Sequence, residues 1–335
     1  MRVAAGWTQA ELALRSGASR TAVTAIEAGK IVPSVAAALG IATALGTTVE
    51  ALFADRPTEA CEEGWAVPPP REACPEWRAE VGGRLWRYPA GPSPMLTLLP
   101  DERAAAQPAH PEETLVLACC DPAAGYLASL FAAESGLRLL VLPRSSRESI
   151  EMLRAGLVHL AGLHLGTRDD PEGNARHVRE RLGPGYRLVR MAEWQEGVVL
   201  SPGLALGSAR AVRSSRLRWV GREPGSGARQ CLDRFLDGMA EPTHLARHHR
   251  GVAEAVSSGW AEAGVCLELV ASEAGLPFIP LEQEFYDVCF AESLETDRRL
   301  VAFLNLVRSK RFRRLLAELP GYSTAETGAA RDVAV

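Results

Sequence analysis

Residues 8–30 read TQAELALRSGASRTAVTAIEAGK, and this stretch predicts the fold of the N-terminal part of the 335-residue chain. Thr8 followed by Glu11 is the S/T-x-x-E pattern that caps a first helical turn, so a helix should begin at Thr8. Gly17 is a helix-stop signal, and Ser19 can cap a second helix directly after it. Two short helices joined by a turn of about three residues predict a helix-turn-helix.

The following residues extend this helical pattern. The second helix should reach about Ala28 and stop at Gly29, and a third helix should run from Ser34 to Leu45. Thr48 can cap a short fourth helix through Phe53. The apolar residues fall at spacings that can share one core: Leu12, Ala13, Val23, Ile26, Leu39, Ile41, Ala42, Leu45, Val49 and Leu52.

With these caps, glycines and apolar positions, about 50 residues resemble the lambda-repressor-like helix-turn-helix domain. In that family the glutamine that opens the second helix contacts phosphate, and the start of the third helix enters the major groove. These two family helices correspond to the first and second helices predicted in this chain. The resemblance therefore implies double-stranded DNA as a partner. The implied contacts are Gln9 to phosphate, Ser19, Arg20, Thr21 and Thr24 to the groove, and Arg15 and Lys30 to the flanking backbone.

Charge limits how such a protein can bind DNA. The net charge is −4, and residues 1–55 carry four basic and four acidic side chains. DNA binding must therefore be local and geometric, without a global basic field. The same balance keeps open an alternative in which the N-terminal helices only dimerise. Lys30 and Lys310 are the two lysines among 37 basic residues, so most cationic contacts must come from guanidinium groups.

Composition excludes several classes of protein. Hydrophobic residues make up 47% and charged residues 23% of the chain, which is typical of globular domains and excludes wholesale disorder. The seven cysteines are scattered and form no CxxC, which argues against a disulfide framework and a zinc ribbon. No signal peptide or apolar run of about 18 residues is visible, so we expect a cytoplasmic protein without a membrane partner.

Composition also suggests four segments. They are a helix-turn-helix DNA-binding domain at 1–55, a proline- and tryptophan-rich linker with a small β element at 56–112, a two-lobed effector domain at 113–322 and a flexible tail at 323–335. Gly82 and Gly83, between Val81 and Leu85, predict a β-hairpin in the linker.

From residue 114 onward, short apolar runs alternate with helical stretches, which predicts an α/β domain with a mostly parallel sheet. The order of motifs over about 200 residues resembles the type II periplasmic-binding-protein fold that is used in cytoplasmic regulators. Among such domains, the sequence most resembles the molybdate-binding type. The motifs are LVLACCDPAAGYLASLF at 115–131, RSSRESIEMLRAGLVHLAGLHL at 144–165, GREPGSGARQCLDRFL at 221–236 and AFLNLVRSKRFRRLLAELPGY at 302–322. Two lobes joined by crossovers near 193–197 and 284–292 would enclose a cleft.

Helix starts, serine hydroxyls and an arginine suit a small anion in this cleft, because backbone N–H groups point at a ligand there. The candidate ligand residues are Asp121, Ala123, Ser145, Ser146, His164, Gly225, Ser226, Gly227 and Arg229. Helix capping by the serines and a simple turn at residues 225–227 are the alternatives. Asp121 also suits a ligand hydroxyl or amine.

The remaining chemistry-bearing residues give weaker patterns. Cys119 and Cys120 allow a soft-metal hypothesis, with Cys231, Cys266 and His164 as partners, although we expect no metal and no cofactor. His159 and His164 should face opposite sides of a strand, and His244, His248 and His249 should be solvated. Trp194 and Trp260 fit either a pocket or the core. No Walker loop, HExxH or GxSxG occurs, so we do not expect an enzyme.

These features together predict a DNA-binding transcription regulator that acts as a homodimer and senses a small effector. A molybdate-like oxyanion is the first hypothesis for that effector, by resemblance. The alternatives are a small organic anion, a cofactor precursor, a soft metal, or a ligand-binding protein that does not bind DNA.

Overall fold

The computed structural model describes residues 2, 5–28, 30–49, 52, 63–70, 74–90, 110–238, 241–242 and 244–333. The chain forms two compact units, Met1–Cys61 and Glu62–Val335. The fold class predicted from the sequence, a helical N-terminal part followed by a two-lobed α/β part, is confirmed.

The described residues of the first unit contain the helices α1 (Gln9–Ser16), α2 (Arg20–Glu27) and α3 (Val35–Leu45). The predicted caps are confirmed, because Thr8 and Glu11 form a capping box and serines at 19 and 34 accept bonds from the first turns of α2 and α3. Leu12, Ala13, Val23 and Ile41 form a small buried core. Gly29 and most of the predicted fourth helix lie outside the described residues.

The predicted β element begins the second unit. Its strands are β1 (Gly64–Trp65), β2 (Glu76–Val81) and β3 (Arg84–Pro89), in the order β1-β3-β2. Gly82 and Gly83 form the hairpin turn with φ of 61° and 76°, a left-handed conformation that favours glycine.

This hairpin packs onto the α/β domain. Trp77 and Tyr88 are buried in the same core as Leu140, and the Tyr88 hydroxyl donates to the Leu157 carbonyl at 2.7 Å. The buried Glu76 accepts hydrogen bonds from Arg78 and Arg87. The hairpin is therefore a packed part of the second unit, and its tryptophans serve packing.

The other elements of the second unit alternate as predicted. The strands are β4 (Thr114–Cys119), β5 (Arg138–Pro143), β6 (Leu160–Thr167), β7 (Tyr186–Leu200), β8 (Trp219–Arg222), β9 (His244–Ala246), β10 (Ala263–Leu267), β11 (Phe278–Ala291), β12 (Tyr322–Ser323) and β13 (Ala330–Asp332). The helices are α4 (Ala124–Ser135), α5 (Ser146–Arg154), α6 (Gly173–Leu182), α7 (Ala209–Arg213), α8 (Gly227–Leu236), α9 (His249–Ser257), α10 (Glu268–Glu273), α11 (Arg298–Arg308) and α12 (Lys310–Leu316). No described helix is long and apolar enough to cross a bilayer.

One sheet runs through both lobes in the order β5-β4-β6-β11-β7-β10-β8-β9. Lobe 1 is built on the parallel strands β4, β5 and β6, and lobe 2 on the parallel strands β8, β9 and β10. The long strands β7 and β11 pair antiparallel and pass from one lobe to the other. The crossover predicted at 193–197 falls within β7, and the one predicted at 284–292 falls within β11 except for its last residue.

The predicted flexible tail was wrong for residues 323–333. Strand β12 pairs with Trp194 and Glu193 of β7, and β13 pairs with residues 187–189 of the same strand. Thr327 donates its hydroxyl proton to the Met191 carbonyl at 2.8 Å. The C-terminal segment is therefore held against β7 by strand pairing and by this hydroxyl bond.

Candidate functional site

The start of α2 forms the candidate DNA-contacting surface of the first unit. Ser19 caps this helix, and Arg20, Thr21 and Thr24 are exposed on it. Together with Lys30, the exposed residues line a depression of about 340 Å³. Short polar side chains beside two cations suit contact with base edges and phosphates.

Gln9 and Arg15 make contacts within the first unit. The Gln9 amide donates to Glu27 at 2.7 Å and accepts from the Thr24 hydroxyl at 3.0 Å. The Arg15 guanidinium lies 4.0 Å from the centre of the Trp7 ring, while the residue as a whole stays exposed. One amide hydrogen of Gln9 is therefore bonded to Glu27, and a phosphate contact would use the other.

Two of the predicted ligand serines cap their own helices. Ser145 forms a capping box with Glu148 at the start of α5. Ser226 accepts from the Arg229 backbone N–H at 3.2 Å and donates to the Glu223 carbonyl at 3.0 Å. Both hydroxyls thus perform the capping that the sequence left as the alternative to ligand binding.

Ser146 and Gly227 lie against His164, where lobe 1 meets lobe 2. The Ser146 hydroxyl accepts from the His164 backbone N–H at 3.2 Å. A Cβ added at Gly227 would lie 2.4 Å from Nδ1 of His164, so this approach requires glycine. Gly225, with φ of 93°, lies against Arg147. The lobes are therefore in direct contact at the start of α8.

The two predicted charged ligands have partners. Asp121 is buried, and it accepts from the Ala123 N–H and from the Tyr322 hydroxyl, both at 2.8 Å. Burial raises the pKa of Asp121. The Arg229 guanidinium donates to Asp233 at 2.7 Å, one helical turn away. This bond uses the Nε–H of Arg229, so an anion would have to be bound by the terminal nitrogens of the guanidinium group.

Several buried polar side chains lie together between the lobes, and the sequence did not predict that they would meet. We name Cys120, His164, Glu196, His249 and Glu284 the interlobe cluster, and each is at most 7% exposed. Cys120 and His164 come from lobe 1, Glu196 and Glu284 from the long strands β7 and β11, and His249 from the start of α9 in lobe 2.

His164 is the centre of this cluster. Its Nε2 lies 2.9 Å from the Cys120 sulfur, and its Nδ1 lies 2.8 Å from Oε2 of Glu284. The Trp194 indole donates to the same Oε2 at 3.0 Å, which marks that oxygen as an acceptor. Nδ1 therefore faces the Glu284 carboxyl group, and Nε2 faces the Cys120 sulfur. Burial would lower the pKa of His164, but the neighbouring Cys120 outweighs burial and raises that pKa.

His249 lacks such partners. Neither of its ring nitrogens has a hydrogen-bond partner within the described residues. The Glu196 carboxyl group has the Glu284 carboxyl group as its hydrogen-bonding neighbour. Nδ1 of His249 lies 3.9 Å from Oε1 of Glu196. Buried polar groups in proteins are nearly always hydrogen-bonded, so the His249 ring indicates a binding function.

Burial dominates the protonation of the cluster. It raises the pKa of Glu284 to about 7. Burial and the neighbouring Glu284 carboxyl raise the pKa of Glu196, and burial together with the Arg222 charge lowers the pKa of His249. Arg222 is itself buried and pairs with Glu223 at 2.9 Å, while its Nη1 has no partner in the described part of the chain.

The other histidines are distributed differently from the prediction. His249 was expected to be solvated and is buried, because α9 begins inside the interlobe region. His248 is half-buried and caps α9 by accepting the Gly251 N–H, whereas His244 is exposed as predicted. His159 is buried and accepts the Val116 N–H at 3.0 Å, which is a structural role.

Among the cysteines of the soft-metal hypothesis, Cys120 joins His164 and Cys231 lies near Glu196. In the residues that the structure describes, Cys119 and Cys266 belong to no group with metal-ligand spacing. Of the two tryptophans considered, Trp194 is buried beside the cluster and Trp260 is 70% exposed.

A separate groove of about 600 Å³ lies between residues of both lobes. In its lining, Arg176 bonds to Asp170 and Arg234 bonds to Glu282, and Asp169 adds a further carboxylate. The groove is therefore polar, with one more acidic than basic residue.

The chain thus combines a helical N-terminal unit with a two-lobed α/β unit. The chain belongs to the family described as the PBP superfamily domain, whose model matches residues 128–308, more than half of the chain. A helix-turn-helix family model matches residues 1–52. These matches confirm the two-part resemblance, but they do not show the molybdate type.

One curated relative is the uncharacterized protein YvgK of Bacillus subtilis (strain 168), 27% identical over 195 residues. The match covers 55% of this chain and 63% of the relative, so the chain spans about three fifths of the relative's length. A methylphosphonate complex of PhnD1 from Prochlorococcus marinus is 15% identical, with 64% and 93% of the two chains covered and a TM-score of 0.46. A phosphate transport receptor from Vibrio cholerae is 14% identical, with 62% and 98% covered and a TM-score of 0.43.

Proposed function

We propose that this protein is a one-component transcription regulator of the cytoplasm. Its first unit binds an operator, and its second unit binds a small effector between the two lobes. The observation that carries the proposal is the combination, in one chain, of an exposed polar surface on α2 and a two-lobed domain closed on unpaired polar groups. The proposal gives the chain no catalytic step.

The proposed mechanism is lobe closure. Lobe 2 touches lobe 1 where Gly227 meets His164 and where Arg250 donates to the Pro122 carbonyl at 3.2 Å. An effector that binds both lobes stabilises this closed form by its difference in affinity between the closed and open forms. We propose a homodimer in which closure changes the spacing of the two α2 helices, which must match half-sites about 34 Å apart.

The chemistry of the effector is open to several hypotheses. Helix starts at α5 and α8 support a molybdate-like oxyanion or a small organic anion. Against an oxyanion at the interlobe cluster stand the buried carboxyl groups of Glu196 and Glu284. The polar groove of about 600 Å³ suits an organic anion or a cofactor precursor better. The cluster itself favours a cation.

A second candidate function is a ligand-binding protein whose first unit only dimerises. The equal numbers of acidic and basic residues in 1–55 favour this candidate, because DNA binding usually draws on a positive surface. DNA selection separates the two functions.

The test is selection of bound sequences from a pool of random DNA duplexes by the purified full chain. Wild type should enrich one inverted repeat, and Arg20→Ala or Thr21→Ala should bind it about 5- to 150-fold more weakly, the range expected for a lost base contact. Arg210→Ala, which removes an exposed arginine in the second unit, is the matched control and should bind like wild type.

Thermal unfolding followed by circular dichroism should show that the two α2 variants remain folded. Failure of wild type to enrich any sequence would overturn the proposed operator binding and favour the dimerisation candidate. Equal enrichment by wild type and both α2 variants would overturn the groove assignment. Sedimentation velocity tests the homodimer, which a monomer at working concentration would contradict.

A further inference from the structure

We propose that the interlobe cluster binds one divalent transition-metal ion of the zinc type, and that this ion holds the two lobes together. Its regulatory meaning rests on the proposed function, whereas the metal site rests on the geometry of the cluster. The proposed ligands are Cys120, His164 and His249, whose donor atoms form one group, with Glu196 as the fourth, since its Oε1 lies 3.9 Å from Nδ1 of His249.

The donor atoms are the first argument. The Cys120 sulfur, a His164 nitrogen and a His249 nitrogen all lie within 4.8 Å of one another. One thiolate and two imidazoles, with a carboxylate, make a four-donor set of the kind that Zn²⁺ takes. Calcium and magnesium prefer oxygen ligands, so this set selects against them.

His164 is also held in the orientation that a metal ligand needs. Nδ1 lies 2.8 Å from the Glu284 carboxyl group, and the indole of Trp194 fixes the position of that carboxyl group. Nε2 is thereby turned toward the Cys120 sulfur. A carboxylate behind a ligating histidine is the usual support in zinc sites, because it fixes the tautomer and the ring orientation.

The unpaired ring of His249 is the second, independent observation. His249 is 1% exposed, and neither of its ring nitrogens has a hydrogen-bond partner among the described residues. Glu196 is 0% exposed, and its neighbour is a second carboxyl group, that of Glu284. A cation gives His249 a partner and relieves the contact between the two carboxyl groups. An anion would instead meet the Glu196 carboxylate and the Cys120 thiolate.

Charge balance is consistent with a divalent ion. A thiolate at Cys120 and a carboxylate at Glu196 neutralise two positive charges. The buried guanidinium of Arg222, which already pairs with Glu223, then faces no added net charge. A trivalent ion would leave a positive charge in the same buried region.

The positions of the ligands in the fold give the site its consequence. Cys120 and His164 belong to lobe 1, and His249 opens α9 of lobe 2. Glu196 lies on β7, which connects the lobes. One ion bound by all four residues therefore stabilises the closed form, and its removal releases lobe 2 from lobe 1.

The test uses the purified full chain after treatment with a chelator. Zn²⁺ affinity is measured by competition with a chromophoric chelator, and Co²⁺ is added as a spectroscopic probe. We expect one ion per chain and a near-ultraviolet sulfur-to-cobalt absorption band. Cys120→Ala should abolish that band, and both Cys120→Ala and His249→Ala should weaken Zn²⁺ binding at least tenfold.

Cys289→Ala is the matched control, because Cys289 is an equally buried cysteine in the core of lobe 1 and outside the cluster. It should keep the cobalt band and the zinc affinity. If an alanine variant unfolds, as judged by circular dichroism without metal, Cys120→Ser and His249→Gln replace it. Absence of the band in wild type, or zinc affinity unchanged in the Cys120 and His249 variants, would overturn the site.

The outcome separates this inference from the proposed function. If the chain takes up no zinc and binds specific DNA whether or not zinc is present, the metal site is refuted and the proposed regulator function stands. Zinc binding by a chain that enriches no DNA sequence supports the metal site and refutes the regulator. A rise in Tm with molybdate or tungstate and none with zinc also overturns the metal site.

Discussion

Gly227 offers a direct test of how closely the lobes approach each other. In Gly227→Ala, the new Cβ would lie 2.4 Å from Nδ1 of His164 and 2.6 Å from the His164 carbonyl oxygen. His164 has little room to move, because it is fully buried and bonded to Cys120, Glu284 and Ser146. The start of α8 must therefore move away by about 1 Å to restore ordinary contact distances.

The expected magnitude follows from two opposing effects. Overpacking of this kind costs about 1–3 kcal/mol. Replacing glycine by alanine also stiffens the unfolded chain, which stabilises the protein by about 0.4–1 kcal/mol. Gly207→Ala supplies the second effect alone, because a Cβ at Gly207 meets nothing within 4 Å and its φ is not positive.

The assay compares these two variants by chemical unfolding and by Zn²⁺ competition. If the cost falls on the closed form, Gly227→Ala should bind zinc about 5- to 150-fold more weakly than Gly207→Ala. Small-angle scattering should show a larger radius of gyration for Gly227→Ala. Identical unfolding free energies and zinc affinities in the two variants would refute the close approach of α8 to His164.

Three other substitutions test separate parts of the fold. Gly40→Ala places a Cβ 2.2 Å from the Ser16 carbonyl oxygen, a backbone atom, so thermal unfolding should show the helical unit destabilised by about 1–3 kcal/mol. Tyr322→Phe removes the hydroxyl that donates to the buried Asp121, and urea unfolding should show a loss of about 1–3 kcal/mol, with no loss contradicting the bond. Burial alone would raise the pKa of Glu76, but hydrogen bonds from the two hairpin arginines outweigh it and hold the pKa below its ordinary value. Its contribution is therefore present at neutral pH and lost on acidification through the folded-state pKa, so Glu76→Gln should lower stability at pH 7 and reduce the acid dependence of unfolding, whereas parallel pH profiles would contradict this.

Local signals in the sequence predicted the helices and the hairpin well. Thr8 with Glu11 and the serines at 19, 34 and 145 cap helices where they were expected, because a cap depends on residues three positions apart. Strand boundaries follow the local sequence less closely: only the last four residues of the apolar run at 157–163 belong to β6, which continues to Thr167. The boundaries of strands depend on their partners, which local sequence does not contain.

The interlobe cluster could be predicted only in part. Cys120 and His164 were recognised as chemistry-bearing, but they are 44 positions apart and their contact depends on the pairing of β4 with β6. Glu284 reaches His164 from 120 positions away through the register of β11. His249 follows two other polar residues, so nothing in its neighbourhood indicated burial.

Arg229 shows the opposite failure. As an arginine near a glycine-rich helix start, it was expected to meet an anion, yet Asp233 lies one turn away and pairs with it. The Asp233 position was visible in the sequence, and the i,i+4 pairing rule would have flagged the competition.

The return of the C-terminal strands to β7 affects how this protein folds during synthesis. Strands β12 and β13 cover the edge of β7 within lobe 1, where β10 does not reach, and Arg190 on β7 pairs with Glu326, 136 positions later. Until those late residues leave the ribosome, a hydrogen-bonding edge of a long apolar strand stays open. Open edges of this kind recruit other nascent chains. Truncation near residue 325 should therefore cause aggregation in the cell and lower the yield of unaggregated protein. The effect on the affinity of the folded protein for its effector should be smaller.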